Sequence, residues 1–124
     1  MPKPYRIATL CYLFDKEGRV LLLHRRKSPN SGLYSPIGGK LEQTIGESPA
    51  MCALREIHEE VGLRISHKDL HLAGIVSEQS YENHGHWLMF CYEVTKAVEI
   101  SDFEIDEGTL GWFELEKVPD LNIP

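Results

Sequence analysis

Along this chain the apolar positions fall into short blocks separated by polar, glycine- and proline-marked stretches, and the spacing inside each block predicts its element. Tyr5 to Phe14 (YRIATLCYLF) is rich in β-branched and aromatic residues and reads as a buried strand. Asp15-Lys16-Glu17-Gly18 is a turn, and Arg19 to His24 (RVLLLH) returns as a second strand, which predicts a hairpin. Arg25 to Tyr34, punctuated by Pro29, Asn30 and Gly32, is a loop. Ser35 to Glu42 reads as a short strand interrupted by Gly38-Gly39, with a loop running on through Gly46. Leu70 to Ser77 and Trp87 to Thr95 are further strands, joined by the polar loop Glu78 to His86. Asp102 to Gly108 is an acidic loop, and Gly111 to Leu115 a last short strand.

One block has the helical period instead. Ser48 stands as N-cap, Pro49 takes the first helical position, and Gly62 closes the helix after Val61. On a helical wheel with Glu56 at zero, Ala53, Ile57, Ala50, Val61 and Leu54 span roughly 60° to 160°, one apolar stripe for the core. Glu59, Glu56 and Glu60 fall at roughly 300°, 0° and 40°, so three carboxylates are predicted to converge. A solvated acidic face is the ordinary explanation of such a group, but here it is costly. Glu56 and Glu60 are like charges at i,i+4, and all three lie toward the helix C-terminus, where the macrodipole disfavours them. A hard divalent cation, which takes carboxylate oxygens, offsets both penalties. Arg55, at roughly 260°, stands beside Glu59 and can fix a ligand in place.

Strands on both sides of a central helix, with hairpins rather than regular βαβ alternation, predict a mixed sheet with helices packed on it. The chain stops at Asn122-Ile123-Pro124, where one more helix is expected to cover the sheet; the expectation is that this helix is missing or trimmed. Length, 42% hydrophobic and 26% charged residues fit one soluble domain over residues 1–124. Val20 to Leu23 is far too short to span a bilayer, and Met1 to Arg6 leads into no signal-like core, so a cytoplasmic location is expected. Cys11, Cys52 and Cys91 are widely spaced and odd in number, which predicts buried thiols and argues against a disulfide framework or a zinc site. The net charge of −6 argues against binding a nucleic-acid polymer, while a small phosphorylated ligand remains accessible through a bridging cation.

Glu47, seven residues, then Arg55-Glu56-Ile57-His58-Glu59-Glu60-Val61-Gly62-Leu63 resembles the core of the Nudix box, G-x5-E-x7-R-E-U-x-E-E-x-G-U. Six fixed positions match and Ile57 and Leu63 fill both aliphatic ones. Chance gives odds of roughly five in a hundred million per window, which decides the matter against a solvated face. Gly38 to Glu42, the Leu23-His24-Arg25-Arg26 strand end and Gly111-Trp112-Phe113 resemble further family landmarks. One departure is plain: seven residues rather than five separate Gly39 from Glu47, so the loop Gln43-Thr44-Ile45-Gly46 carries about two extra. It leaves open whether the Gly38 or the Gly39 carbonyl reaches a metal.

The resemblance implies a Nudix-type α/β/α sandwich, with the catalytic helix packed on a mixed β-sheet. It implies magnesium or manganese bound by Glu56, Glu59 and Glu60 with a Gly38 or Gly39 carbonyl, and hydrolysis of a nucleoside diphosphate linked to another moiety. Arg55 and Glu47 belong to the catalytic set, and Glu107 in the acidic late loop is the expected assisting carboxylate, with Glu78 and Glu82 behind it. Arg25, Arg26, Lys40 and Tyr81 are candidate substrate contacts. Tyr34, Tyr81 and Trp87 offer aromatic faces to a base, although core packing is the stronger expectation for Trp87. His84 and His86 lack a third ligand nearby and read as loop residues. The leading substrate is a modified nucleoside triphosphate, cleaved to the monophosphate and pyrophosphate. Alternatives are a diadenosine polyphosphate, for which Tyr81 is placed, and a non-catalytic nucleotide-sensing module, which an intact box disfavours. ADP-ribose is disfavoured, because no proline occurs between Leu63 and Val118. The expected partners are a small nucleotide and no membrane, in a monomer or homodimer.

Overall fold

The computed structural model describes residues 4–27, 30–79 and 85–121. The apolar blocks become strands β1 (Tyr5–Tyr12), β2 (Val20–Arg25), β3 (Tyr34–Ser35), β4 (Ile37–Lys40), β5 (Leu70–Glu78), β6 (His86–Val94), β7 (Glu104–Ile105) and β8 (Gly108–Phe113), and the helical block becomes α1 (Pro49–Val61). One sheet has the order β4-β1-β6-β5, the other β3-β2-β8-β7. The first is mixed, since β1 runs parallel to β6 and antiparallel to β4. The family's mixed α/β architecture is therefore present, with α1 packed on β4, β1 and β6.

The predicted hairpin needs correction. β1 and β2 lie in different sheets, and their pairing is confined to the tip, where Phe14 bridges Val20 and Leu21 N–H donates to Leu13 O at 2.9 Å. The Asp15 carboxylate draws the turn tight by accepting from Glu17 N, Arg19 N and Arg19 Nε. Beyond it the strands part, because β1 is satisfied by β4 and β6, and β2 by β3 and β8. The acidic loop is also more ordered than expected: Glu104–Ile105 pairs onto β8, which begins at Gly108.

Between the sheets lies the core. Ala53 and Ile57 of α1 meet Cys11, Ile37, Tyr92 and Val94 from the first sheet and Leu21, Leu23 and Leu110 from the second. Most of the apolar stripe read from the wheel packs: Ala53 and Ile57 are fully buried and Ala50 and Val61 partly so, while Leu54, at the stripe's far edge, is half-buried outside the core cluster. All three cysteines are free and buried. A second helical layer is not among the described residues, where the last segment, Leu115–Asp120, is a 3₁₀ turn containing Pro119. Among the described residues no helix is long and apolar enough to cross a membrane.

Candidate active site

The caps of α1 fix where its carboxylates stand. Ser48 Oγ accepts from Met51 N at 3.2 Å, Pro49 leads the first turn, and Gly62, at φ 75°, donates to His58 O at 2.9 Å. With Ala53 and Ile57 committed to the core, the flank carrying Glu56 and Glu60 lies against β4. The approach is close enough that a Cβ on Gly39 would come 2.6 Å from the Glu56 carboxyl group. A side chain at 39 would therefore displace the Glu56 carboxyl group from its place on the strand.

Arg55 is the hub of the site, and its main partner is not the one the wheel indicates. Nε and Nη2 form a fork onto Glu47 at 2.7 and 2.9 Å, Nη1 reaches Glu56 at 2.8 Å, and Glu59 lies farther off at 3.3–3.5 Å. Nη2 also donates to Lys40 O at 3.2 Å. Glu47 is 8% exposed and accepts from Glu42 N at 3.0 Å as well. The Arg55 fork, then the Glu42 N–H, hold its carboxyl below the ordinary value of 4.5 against the opposing effect of burial. The same pinch, with Glu47 N donating to Glu42 O at 3.1 Å, closes the longer loop. The extra residues bulge into solvent as a 3₁₀ turn, Gln43–Ile45, and leave Glu47 in place.

The three box glutamates do not converge as expected. Glu56 and Glu60 stand together, whereas the Glu59 side chain is 56% exposed and turned toward Arg55. Arg55 is the physical reason, since its Nη1 lies between Glu56 and Glu59 and attracts both. Among the described residues no group of three or more His, Cys, Asp and Glu side chains is arranged to hold a metal ion. Burial raises the Glu60 pKa well above the carboxylate range, and a hydrogen bond with Glu56 and the charges of Glu56 and Glu107 raise it further. The Gly38 N–H opposes that rise. Two crowded carboxylates side by side are hard oxygen donors suited to a dication, which relieves the repulsion that raises Glu60. That donor chemistry fits magnesium or manganese at Glu56 and Glu60, and Glu59 joins them only by giving up Arg55.

The register separates the two glycine carbonyls. Leu41 N donates to Ile7 O at 3.0 Å, and alternate residues share an antiparallel ladder, so Gly39, opposite Thr9, turns its backbone into β1. The Gly39 carbonyl also takes the long contacts of Thr9 Oγ1 (3.5 Å) and Cys52 Sγ (3.6 Å). Gly38 and Lys40 turn theirs to the open edge of β4, where Lys40 O meets Arg55 and Gly38 N–H meets Glu60. Thr9 and Cys52 are neighbours of the site that the sequence did not single out. The available signal was the place of Cys52, at roughly 320° on the acidic side of the wheel.

Other candidates disperse. Arg26, expected on phosphate, is ion-paired with Glu104 at 2.7 Å, because β7 folds back onto β8 beside the end of β2. Arg25 N donates to Leu33 O at 2.9 Å at that strand end. Lys40 is exposed, its ammonium 5.9 Å from the Trp87 ring centroid. Trp87 is half-buried on the sheet face turned away from α1, not packed in the core cluster. Tyr34 stacks on His24 at 4.5 Å, and His86 lies against Tyr5 at 5.1 Å. Glu78 pairs across β5 and β6 with Trp87. Tyr81, Glu82 and His84 lie outside the described residues.

The chain matches the family model described as NUDIX domain over residues 4–124. It is 32% identical over 120 residues to the NAD-capped RNA hydrolase NudC of Chromobacterium violaceum, covering 96% of this chain and 42% of that protein. To the oxidized purine nucleoside triphosphate hydrolase of Danio rerio it is 31% identical over 109 residues, covering 86% of this chain and 65% of that protein. The chain thus spans less than two thirds of these relatives. The MutT protein from Methanosarcina mazei Go1 has the same fold, with a TM-score of 0.82 at 24% identity, covering 100% of this chain and 88% of that one.

Proposed function

The chain belongs to the Nudix family, and from that premise we propose that it hydrolyses a phosphoanhydride bond in a nucleoside diphosphate joined to another group. One observation carries the reading: the Glu56 and Glu60 carboxylates stand together on the flank of α1 that is set against the glycines of β4. In this reading Glu56, Glu60 and the edge-facing Gly38 carbonyl hold magnesium or manganese, and Glu59 completes the set. A bound dication neutralises phosphate oxygens and lowers the pKa of a water. Arg55, braced by Glu47, keeps the Glu56 carboxylate in orientation. Glu107, on the turn whose charge reaches Glu60, takes the proton of the attacking water at its carboxylate. No nucleophilic side chain is needed, because positioning and charge do the chemistry.

The leading substrate is a modified nucleoside triphosphate, cleaved to the monophosphate and pyrophosphate. One relative is named for oxidised purine nucleoside triphosphates and another for NAD-capped RNA, so a nucleoside diphosphate unit is what those names share. The diadenosine reading rests on Tyr81, outside the described residues, and nothing else favours it. The sensor reading is disfavoured because every box glutamate is present. A nucleotide panel with magnesium, read as phosphate released after added pyrophosphatase, tests the proposal. Release that requires both magnesium and pyrophosphatase is expected for a nucleoside triphosphate. Binding of nucleotides without release from any of them makes the chain a sensor.

A further inference from the structure

The first sheet's face turned away from α1 carries a feature the hydrolytic reading leaves unused. The Arg6 guanidinium carbon lies 5.7 Å and the Lys40 ammonium 5.9 Å from the centroid of the same ring, Trp87. In a chain with 19 acidic and 13 basic residues, two cations on one ring would ordinarily be claimed by carboxylates. Yet among the described residues neither forms an ion pair, and Glu78, directly opposite Trp87 on β5, pairs with neither. The indole Nε1 is also shut off from solvent, and it is the one buried side-chain polar atom among the described residues that has no hydrogen-bond partner. Two cations without a carboxylate partner, gathered on one ring, make a donor set for an anion.

Its place relates it to the hydrolytic site. Lys40 is two residues from Gly38 on the edge strand β4, about 7 Å along it. Glu56 lies over Gly39 on the α1 side of that strand, and side-chain alternation sets Lys40, Arg6 and Trp87 on the other. A ligand crossing the β4 edge at Gly38 would meet the glutamates on one side and the cations on the other.

We propose that Arg6, Lys40 and Trp87 form an anion subsite that holds the further phosphates of a polyphosphate-bearing substrate, those away from the scissile bond. The proposal rests on the hydrolytic reading for the word substrate, and narrows it: nucleotides with three or more phosphates are bound in preference to a pyrophosphate between two uncharged groups. The cations lie on the ring until the anion draws them off.

The test uses inorganic tripolyphosphate and the full chain in EDTA, followed by calorimetry and by tryptophan fluorescence. Binding is expected without metal, weakened at least ~10-fold in Arg6→Gln and in Lys40→Gln and kept in Arg6→Lys. The fluorescence change should vanish in Trp87→Phe, and thermal melts establish that each variant is folded. Equal binding by parent and Gln variants overturns the subsite. So does uncharged adenosine perturbing Trp87 as strongly as tripolyphosphate, which would make the ring a base platform. Turnover separates the two claims. A chain that binds tripolyphosphate through Arg6 but hydrolyses no nucleotide loses the hydrolytic reading and keeps the subsite. An active chain whose KM for a nucleoside triphosphate is unmoved in Arg6→Gln loses the subsite alone.

Discussion

Replacing Glu47 by Gln tests the brace behind the glutamate pair. Glu47 accepts Arg55 Nε at 2.7 Å and Nη2 at 2.9 Å, a parallel fork, and Glu42 N at 3.0 Å. Glutamine keeps one acceptor oxygen but presents an NH₂ to a guanidinium that can only donate, so one charge-assisted bond is lost and a donor faces a donor. Removing one partner of a buried pair costs ~3–5 kcal/mol. Arg55 is 26% exposed and keeps Glu56 at 2.8 Å, which places the expected loss lower, at about 2 kcal/mol. For a chain of this length that is a fall in Tm of roughly 8 °C. Urea unfolding of the parent, Glu47→Gln, Arg55→Met and the double variant gives the coupling directly. We expect ~1.5–3 kcal/mol, the range for a hydrogen bond to a charged group. A coupling below ~0.5 kcal/mol, the value of an exposed pair, would refute the brace.

The depressed Glu47 pKa gives the pH dependence its sign. Its stabilising contribution is complete above the ordinary value of 4.5 and is lost as pH falls through the lower folded value; an acid titration of parent against Glu47→Gln should show the parent's advantage vanish there, and an advantage constant with pH would contradict it. Trimming two residues from Gln43–Ile45 should shift Tm by only a few degrees, because the Glu42–Glu47 pinch already closes the loop; an unfolded variant would show the loop to be structural. The thiols should resist a disulfide reagent at pH 8 until denaturant is added, since burial raises all three and pushes Cys11 up to about 12; rapid labelling of the native chain would contradict their burial.

What the sequence discloses here is what local spacing governs. Ser48, Pro49 and Gly62 bound α1, Ala53 and Ile57 name its buried stripe, and the box glutamates fall on one flank, because caps and a 3.6-residue period act within a few turns. Pairings across the chain are another matter. A wheel gives an angle, not the neighbour that arrives at it, so Arg55 was assignable to Glu59 while its fork closes on Glu47, eight residues away. Cys52 looked like a plain buried thiol, and only the packing of α1 on β4 shows it touching the Gly39 carbonyl. Likewise β1 and β2 read as a hairpin because the turn at Asp15 is local, while their division between two sheets depends on β4, β6, β3 and β8.

Turnover and melting of Glu60→Gln, with and without magnesium, separate a metal-bearing carboxylate from a bystander. Glu60 is half-buried beside Glu56 and feels the charge of Glu107, and in the hydrolytic reading its carboxylate is a metal ligand that must carry full charge. At least a ~100-fold loss of turnover on the best nucleotide is expected, with a folded protein whose Tm no longer rises with magnesium as the parent's does. A Glu60→Gln protein that hydrolyses at the parental rate, and gains the same stability from magnesium, would contradict it.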